Sequence, residues 1–105
     1  MDHHINPAVN QILDIVYSSV ERSYILLVSG FRDMAVDEFR AGLLTGLLLT
    51  KIYCNEEIID GAECADIVLY ISSILDNNDI EKAIEDLYIG IEHRESNIEE
   101  IAIAI

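Results

Sequence analysis

The chain has 105 residues, twenty acids against six bases, a formal net charge of −14 and 51% apolar residues. That length suits one domain, and so apolar a composition excludes the disordered class, which needs low hydrophobicity as well as charge. A field this negative repels DNA, RNA and anionic lipid, so it favours a basic protein surface over direct nucleic-acid or membrane contact.

The charge is unevenly placed. Residues 1–53 hold six acids and four bases, whereas residues 54–105 hold fourteen acids against Lys82 and Arg94. The start Met1-Asp2-His3-His4 lacks the basic segment of a signal peptide. The most apolar stretches, Tyr24–Val28 and Ala41–Thr50, are far shorter than the roughly 20 residues of a membrane span. A cytoplasmic chain is the expectation, and with it reduced thiols at Cys54 and Cys64.

Asn6-Pro7 reads as a helix start, with a capping side chain followed by a proline that needs no donor. Val9, Ile12, Leu13, Val16, Val20, Tyr24 and Leu27 then recur at helical spacing, predicting a helix over 7–29 that stops at Ser29-Gly30. A second helix is expected over 34–53, starting at Asp33 or Asp37. From Ala41 onward it is apolar nearly all round, which suits a central position. Gly42 and Gly46 share one face and would let another backbone come close. That is a packing feature within a chain or, with Leu44 and Leu48 projecting elsewhere, part of a self-association surface. A homodimer through the first two helices is one expectation.

Asp60 and Glu63 have the spacing of a capping box, opening a third helix over 61–76 with Cys64, Ile67, Val68, Ile71 and Leu75 on its stripe. Asp76-Asn77-Asn78 reads as a turn, with Asn78 and Glu81 as the next capping pair. Ile80, Ala83, Ile84, Leu87, Tyr88 and Ile91 form a clean amphipathic pattern over 79–93. Ser96 and Glu99 then suggest a short helix over 97–104. The run Ile101-Ala102-Ile103-Ala104-Ile105 also alternates with period two, so an extended tail is the alternative. Short connections make consecutive helices antiparallel neighbours. The expected fold is an all-α antiparallel bundle of four helices plus that short helix or tail, in a single domain over 1–105.

No catalytic constellation assembles, so the chain reads as a non-enzyme. Glu81 with Glu85, or Glu92 with Glu99, share helix faces as solvated stripes do. Cys64 lies on an apolar stripe, where a thiol is inert, and Cys54 at a helix end has no histidine nearby in sequence to act as its base. His3, His4 and His93 lack zinc spacing. Met1-Asp2-His3 could wrap Cu(II) or Ni(II) in a square plane, although a frayed terminus is the plainer reading. No metal or cofactor is expected.

The more informative positions are apolar residues on polar faces. Leu69 projects among Asp66, Ser72, Ser73 and Asp76. Ile89 projects among Glu85, Asp86, Glu92 and His93, and Ile103 would do so beside Glu99 and Glu100. Apolar points within a charged rim are how interfaces combine affinity with steering. The expected partner-binding set is therefore Asp66, Leu69, Asp76, Glu81, Glu85, Asp86, Ile89, Glu92 and Glu99. The expected partner is the basic surface of a nuclease toxin or other nucleic-acid-handling protein. Immunity proteins that neutralise nuclease toxins, and phage proteins that disarm host nucleases, are of this physical type in size, charge and class. A helical oligomerisation or adaptor domain, kept soluble by its acidity, is the alternative.

Overall fold

The computed structural model describes residues 6–104, with side chains described from Asn6 to Glu92. It is an all-α bundle of four helices: α1 (Pro7–Val28), α2 (Arg32–Asn55), α3 (Gly61–Leu75) and α4 (Ile80–Ala104). Asn6 caps α1 as expected, its Oδ1 accepting from the Ala8 amide at 2.9 Å. Its Nδ2 donates to the Ile58 carbonyl at 2.8 Å and so ties the start of α1 to the distant α2–α3 connector.

Both turns that leave α1 and α2 close in the same way. After α1, the Phe31 amide donates to the Leu26 carbonyl at 2.9 Å and the Gly30 amide to Leu27 at 3.2 Å, with Gly30 at φ 90°. After α2, the Ile58 amide donates to Tyr53 at 2.9 Å and the Glu57 amide to Cys54 at 3.2 Å. Here the left-handed position is filled by Glu57 at φ 59°, which costs a side-chain-bearing residue about 1–2 kcal/mol relative to its right-handed form. Glu57→Gly is therefore expected to stabilise the fold by about 0.5–1 kcal/mol, less than the full relief because glycine loses more entropy on folding. Urea unfolding checks this. Glu57→Ala, which removes the same charge but keeps a Cβ, should leave the midpoint unmoved.

The α1/α2 hairpin is antiparallel. Arg22 meets Glu38 at 2.6 Å, the Ser19 hydroxyl donates to the Glu38 carbonyl at 2.8 Å, and Tyr53 pairs with Gln11 at the far end. Its seam is made of small residues. A Cβ added at Gly42 would overlap the Ser19 side chain, and one added at Gly46 would lie 3.1 Å from Val16. Ser19, Ser23 and Thr50 are fully buried there, and the latter two satisfy their hydroxyls on helix carbonyls one turn back. The glycine pair is thus spent inside the chain. This corrects the assignment of Gly42 and Gly46 to self-association, because the face they share is already covered by α1.

Phe39, Ile12, Leu43, Ile71 and Ile84 centre the core, drawn from all four helices. Burying a side chain of this size contributes about 1.5–3 kcal/mol. Helix α2 packs against each of the other three, as a central helix should. Even so, the molecule is a slab, 43 × 41 × 18 Å between Cα atoms, and one face of α2 stays open. Helix α4 is clasped to α1 by the stacked rings of Tyr24 and Tyr88, 3.9 Å apart and 4° from parallel. The Tyr88 hydroxyl donates to Glu92, and this bond, with burial and that carboxylate's charge, raises its pKa above the usual tyrosine value. The clasp is therefore intact below the ordinary tyrosine pKa and weakens only as alkaline pH ionises the phenol.

Three sequence expectations are corrected. Helix α2 begins at Arg32, two residues before the expected 34, because the tight turn at Gly30 leads directly into it with no side-chain cap. Helix α4 is capped by Asp79 rather than Asn78: Asp79 Oδ1 accepts from the Lys82 amide at 3.1 Å, and Asn77 takes the Asp79 amide. The expected break after His93 is absent, and α4 continues to Ala104 in place of a separate short helix or extended tail. Residues 93–97 contain neither glycine nor proline, so nothing in the chain interrupts the ladder.

Cys54 and Cys64 are joined as a disulfide, with Cα atoms 6.1 Å apart. The expectation of two reduced thiols came from compartment, not geometry. The end of α2 and the first turn of α3 converge around the connector over 56–60, whose Ile59 is buried.

Candidate functional site

The α3 part of the expected partner-binding set is exposed as a ridge. Leu69 is 68% exposed, and Asp66 and Asp76 beside it are exposed as well. Asp60 fixes the start of this helix, its carboxylate accepting from the Glu63 amide at 2.8 Å. The core stripe Ile67–Ile71 then determines which way Leu69 points.

On α4 the buried stripe Ile80, Ala83 and Ile84 turns Glu85, Asp86, Ile89 and Glu92 outward, with Ile89 53% exposed. Three of the expected acids are already engaged, Glu92 by the Tyr88 hydroxyl. Glu81 is half-buried and meets Arg32 of α2 at 2.7 Å, and Asp86 lies 3.7 Å from Lys82 one turn back. Such exposed pairs are worth only a few tenths of a kcal/mol, so they leave the face acidic without fixing it firmly. Arg32, Asp79, Glu81, Lys82 and Glu85 together line an open cleft at the head of α4. Asp79 and Arg32 were not singled out in the sequence, and the capping position of Asp79 was the signal that could have found the first.

Helices α3 and α4 touch one another least of the packed pairs, since α3 lies mainly on α2 and α4 mainly on α1. Leu69 and Ile89 therefore crown one ridge each. Glu99, Ile103, His93 and the Met1-Asp2-His3-His4 start lie outside the described side chains. Among the described residues no three His, Cys, Asp or Glu side chains gather as a metal cluster, and no helix is long and apolar enough to cross a membrane.

Comparison with protein-family models, curated proteins and solved structures finds no match. The functional reading therefore rests on the surface alone. That surface also includes Leu44 at 55% and Leu48 at 62% exposure, which do face outward from α2 as the self-association expectation required of them.

Proposed function

We propose that the protein is a non-enzymatic inhibitor that docks its acidic ridges on the basic surface of a nuclease or another nucleic-acid-handling protein, as an immunity or anti-defence protein would. The observation that carries this reading is the outward face of α4. There Ile89 stands exposed among Glu85, Asp86 and Glu92, with Lys82 as the one cation of that face among the described residues. An apolar anchor ringed by like charge gains affinity from burial and gains rate from the field, and it competes with a polyanion for a cationic cleft. Cytoplasmic residence belongs to the same proposal, and in that reducing compartment the Cys54–Cys64 pair would open to thiols, the disulfide being the oxidised form of the chain.

The test is a pull-down from the native host that identifies a basic nucleic-acid-binding partner, followed by titration at rising salt. Association is expected to slow steeply between low and physiological ionic strength. The variant Glu85→Lys with Asp86→Lys is expected to weaken that binding by about 100-fold, with an unchanged circular dichroism spectrum. Binding indifferent to both salt and charge reversal would sink the proposal.

The second reading, a helical oligomerisation or adaptor domain, is favoured by a different observation. Leu44, Leu48 and Ile52 stand exposed on one face of α2. If the α4 charge reversal removed self-association instead of partner binding, the acidic face would belong to assembly.

A further inference from the structure

The open face of α2 is unusual for this chain in its charge as well as its apolarity. No acid or base occurs between Ala41 and Thr50, and the exposed residues there are Ala41, Leu44, Thr45 and Leu48, continued by Ile52. Asp37 and Lys51 flank that stretch. Each is seven residues from Leu44, so each lies about 10.5 Å along the axis and within roughly 20° of its direction. The face therefore reads acid, leucine, base at equal intervals.

The cations of this face are also unspent. Among the described lysines and arginines, Arg22, Arg32 and Lys82 each meet a carboxylate, while Arg40 and Lys51 meet none. Among the described residues of a chain with twenty acids, two exposed cations stay unpaired, both on α2 beside its uncovered apolar ridge.

We infer that this face pairs with the same face of a second copy, antiparallel about a two-fold axis at Leu44. The axis sets Leu44 against the partner's Leu44. It sets Asp37 at the level of the partner's Lys51 and, by symmetry, Lys51 at the level of the partner's Asp37. Leu48 then covers the stem of the partner's Arg40. An isologous contact needs a self-complementary surface, and this pattern is self-complementary only when the helices run in opposite directions. In a parallel pair Asp37 would meet Asp37 and Lys51 would meet Lys51. A chain of net charge −14 can approach its own copy only through a face free of net negative charge. Asp33, eleven residues before Leu44 and also within about 20° of its direction, joins Asp37, Arg40 and Lys51 to leave this face with no net charge. The inference deepens the self-association reading above and does not require the acidic-ridge reading.

Sedimentation velocity across concentration, at low and physiological salt, tests it. The wild-type chain is expected to be a reversible dimer. Leu44→Asp, which puts two carboxylates on the axis, is expected to raise the dissociation constant by about 100-fold or more. Asp37→Lys alone and Lys51→Glu alone are each expected to raise it about 10-fold, and the two together to restore it to within about 3-fold. All three positions altered are exposed on one helix, and circular dichroism checks that each variant is folded. A wild-type chain that stays monomeric at millimolar concentration overturns the inference. So does a dimer indifferent to Leu44→Asp, or a charge swap that fails to rescue. Loss of the dimer in Leu44→Asp with retained basic-partner binding, against the reverse in Glu85→Lys with Asp86→Lys, keeps the two surfaces distinguishable.

Discussion

Gly42→Ala is expected to destabilise the fold by about 3 kcal/mol, although alanine is the better helix former by about 1 kcal/mol. The added methyl would occupy the space of the Ser19 side chain on α1. Ser19 has no free direction, because it is fully buried and its hydroxyl is committed to the Glu38 carbonyl. Relief thus requires the two helix backbones to separate, which would loosen Val16, Gly46 and Phe39 along the same seam. A loss of this size is a large part of the roughly 5–15 kcal/mol that holds a domain together. Urea unfolding followed by circular dichroism measures it. The decisive comparison is with the Ser19→Gly background, where the same Gly42→Ala change should cost nothing measurable, because the room is then on the other helix. Gly90→Ala on the open side of α4 is the control of opposite sign, with nothing within 4 Å of its added Cβ. Equal effects at Gly42 and Gly90 would mean that the seam is not close-packed.

Removing the Cys54–Cys64 bond is expected to cost about 2–3 kcal/mol, the loop-closure entropy of a cross-link between residues ten apart. The link closes the connector over 56–60, which also holds buried Ile59 and left-handed Glu57. Cys54→Ser with Cys64→Ser and dithiothreitol-treated wild type should unfold at the same lowered urea midpoint. Thiol titration of the oxidised, denatured chain should find no free thiol. Two free thiols in that titration, or a midpoint unmoved by reductant, would contradict the pairing. The loss should be seen in unfolding and not in self-association, since Cys54 lies ten residues, about 15 Å along α2, from Leu44.

Periodicity carried most of the fold. The stripes of α1, α3 and α4, the Asn6 cap, the Asp60 cap and the stop at Gly30 are local signals, and local physics obeyed them. The misplaced ends lie where short-range signals compete. Asn78 and Asp79 are adjacent capping residues, and only the bond of Asn77 to the Asp79 amide selects between them. Alternation in the final five residues mimics a strand, but a helix already running from Ile80 needs only to be extended, which is easier than nucleating a new element.

For the candidate site, side-chain direction was legible and engagement was not. The outward placement of Leu69 and Ile89 follows from their register against buried stripes one helix at a time. That Glu81 is held by Arg32, 49 residues away, depends on how α4 crosses the end of α2, which no local pattern encodes.

The glycine pair shows the division most clearly. By itself, the sequence determined that α2 has a face without side chains at Gly42 and Gly46, and another crowned by Leu44 and Leu48. It could not say which face meets the rest of the chain, because an apolar helix can bury either. The tertiary structure decided it: α1 brings Ser19 and Val16, small enough to seat on the glycines, and among the described residues no fifth element covers the leucines. Close backbone approach gains more contacts than leucine on leucine within one chain, and so the leucine face is the one left uncovered.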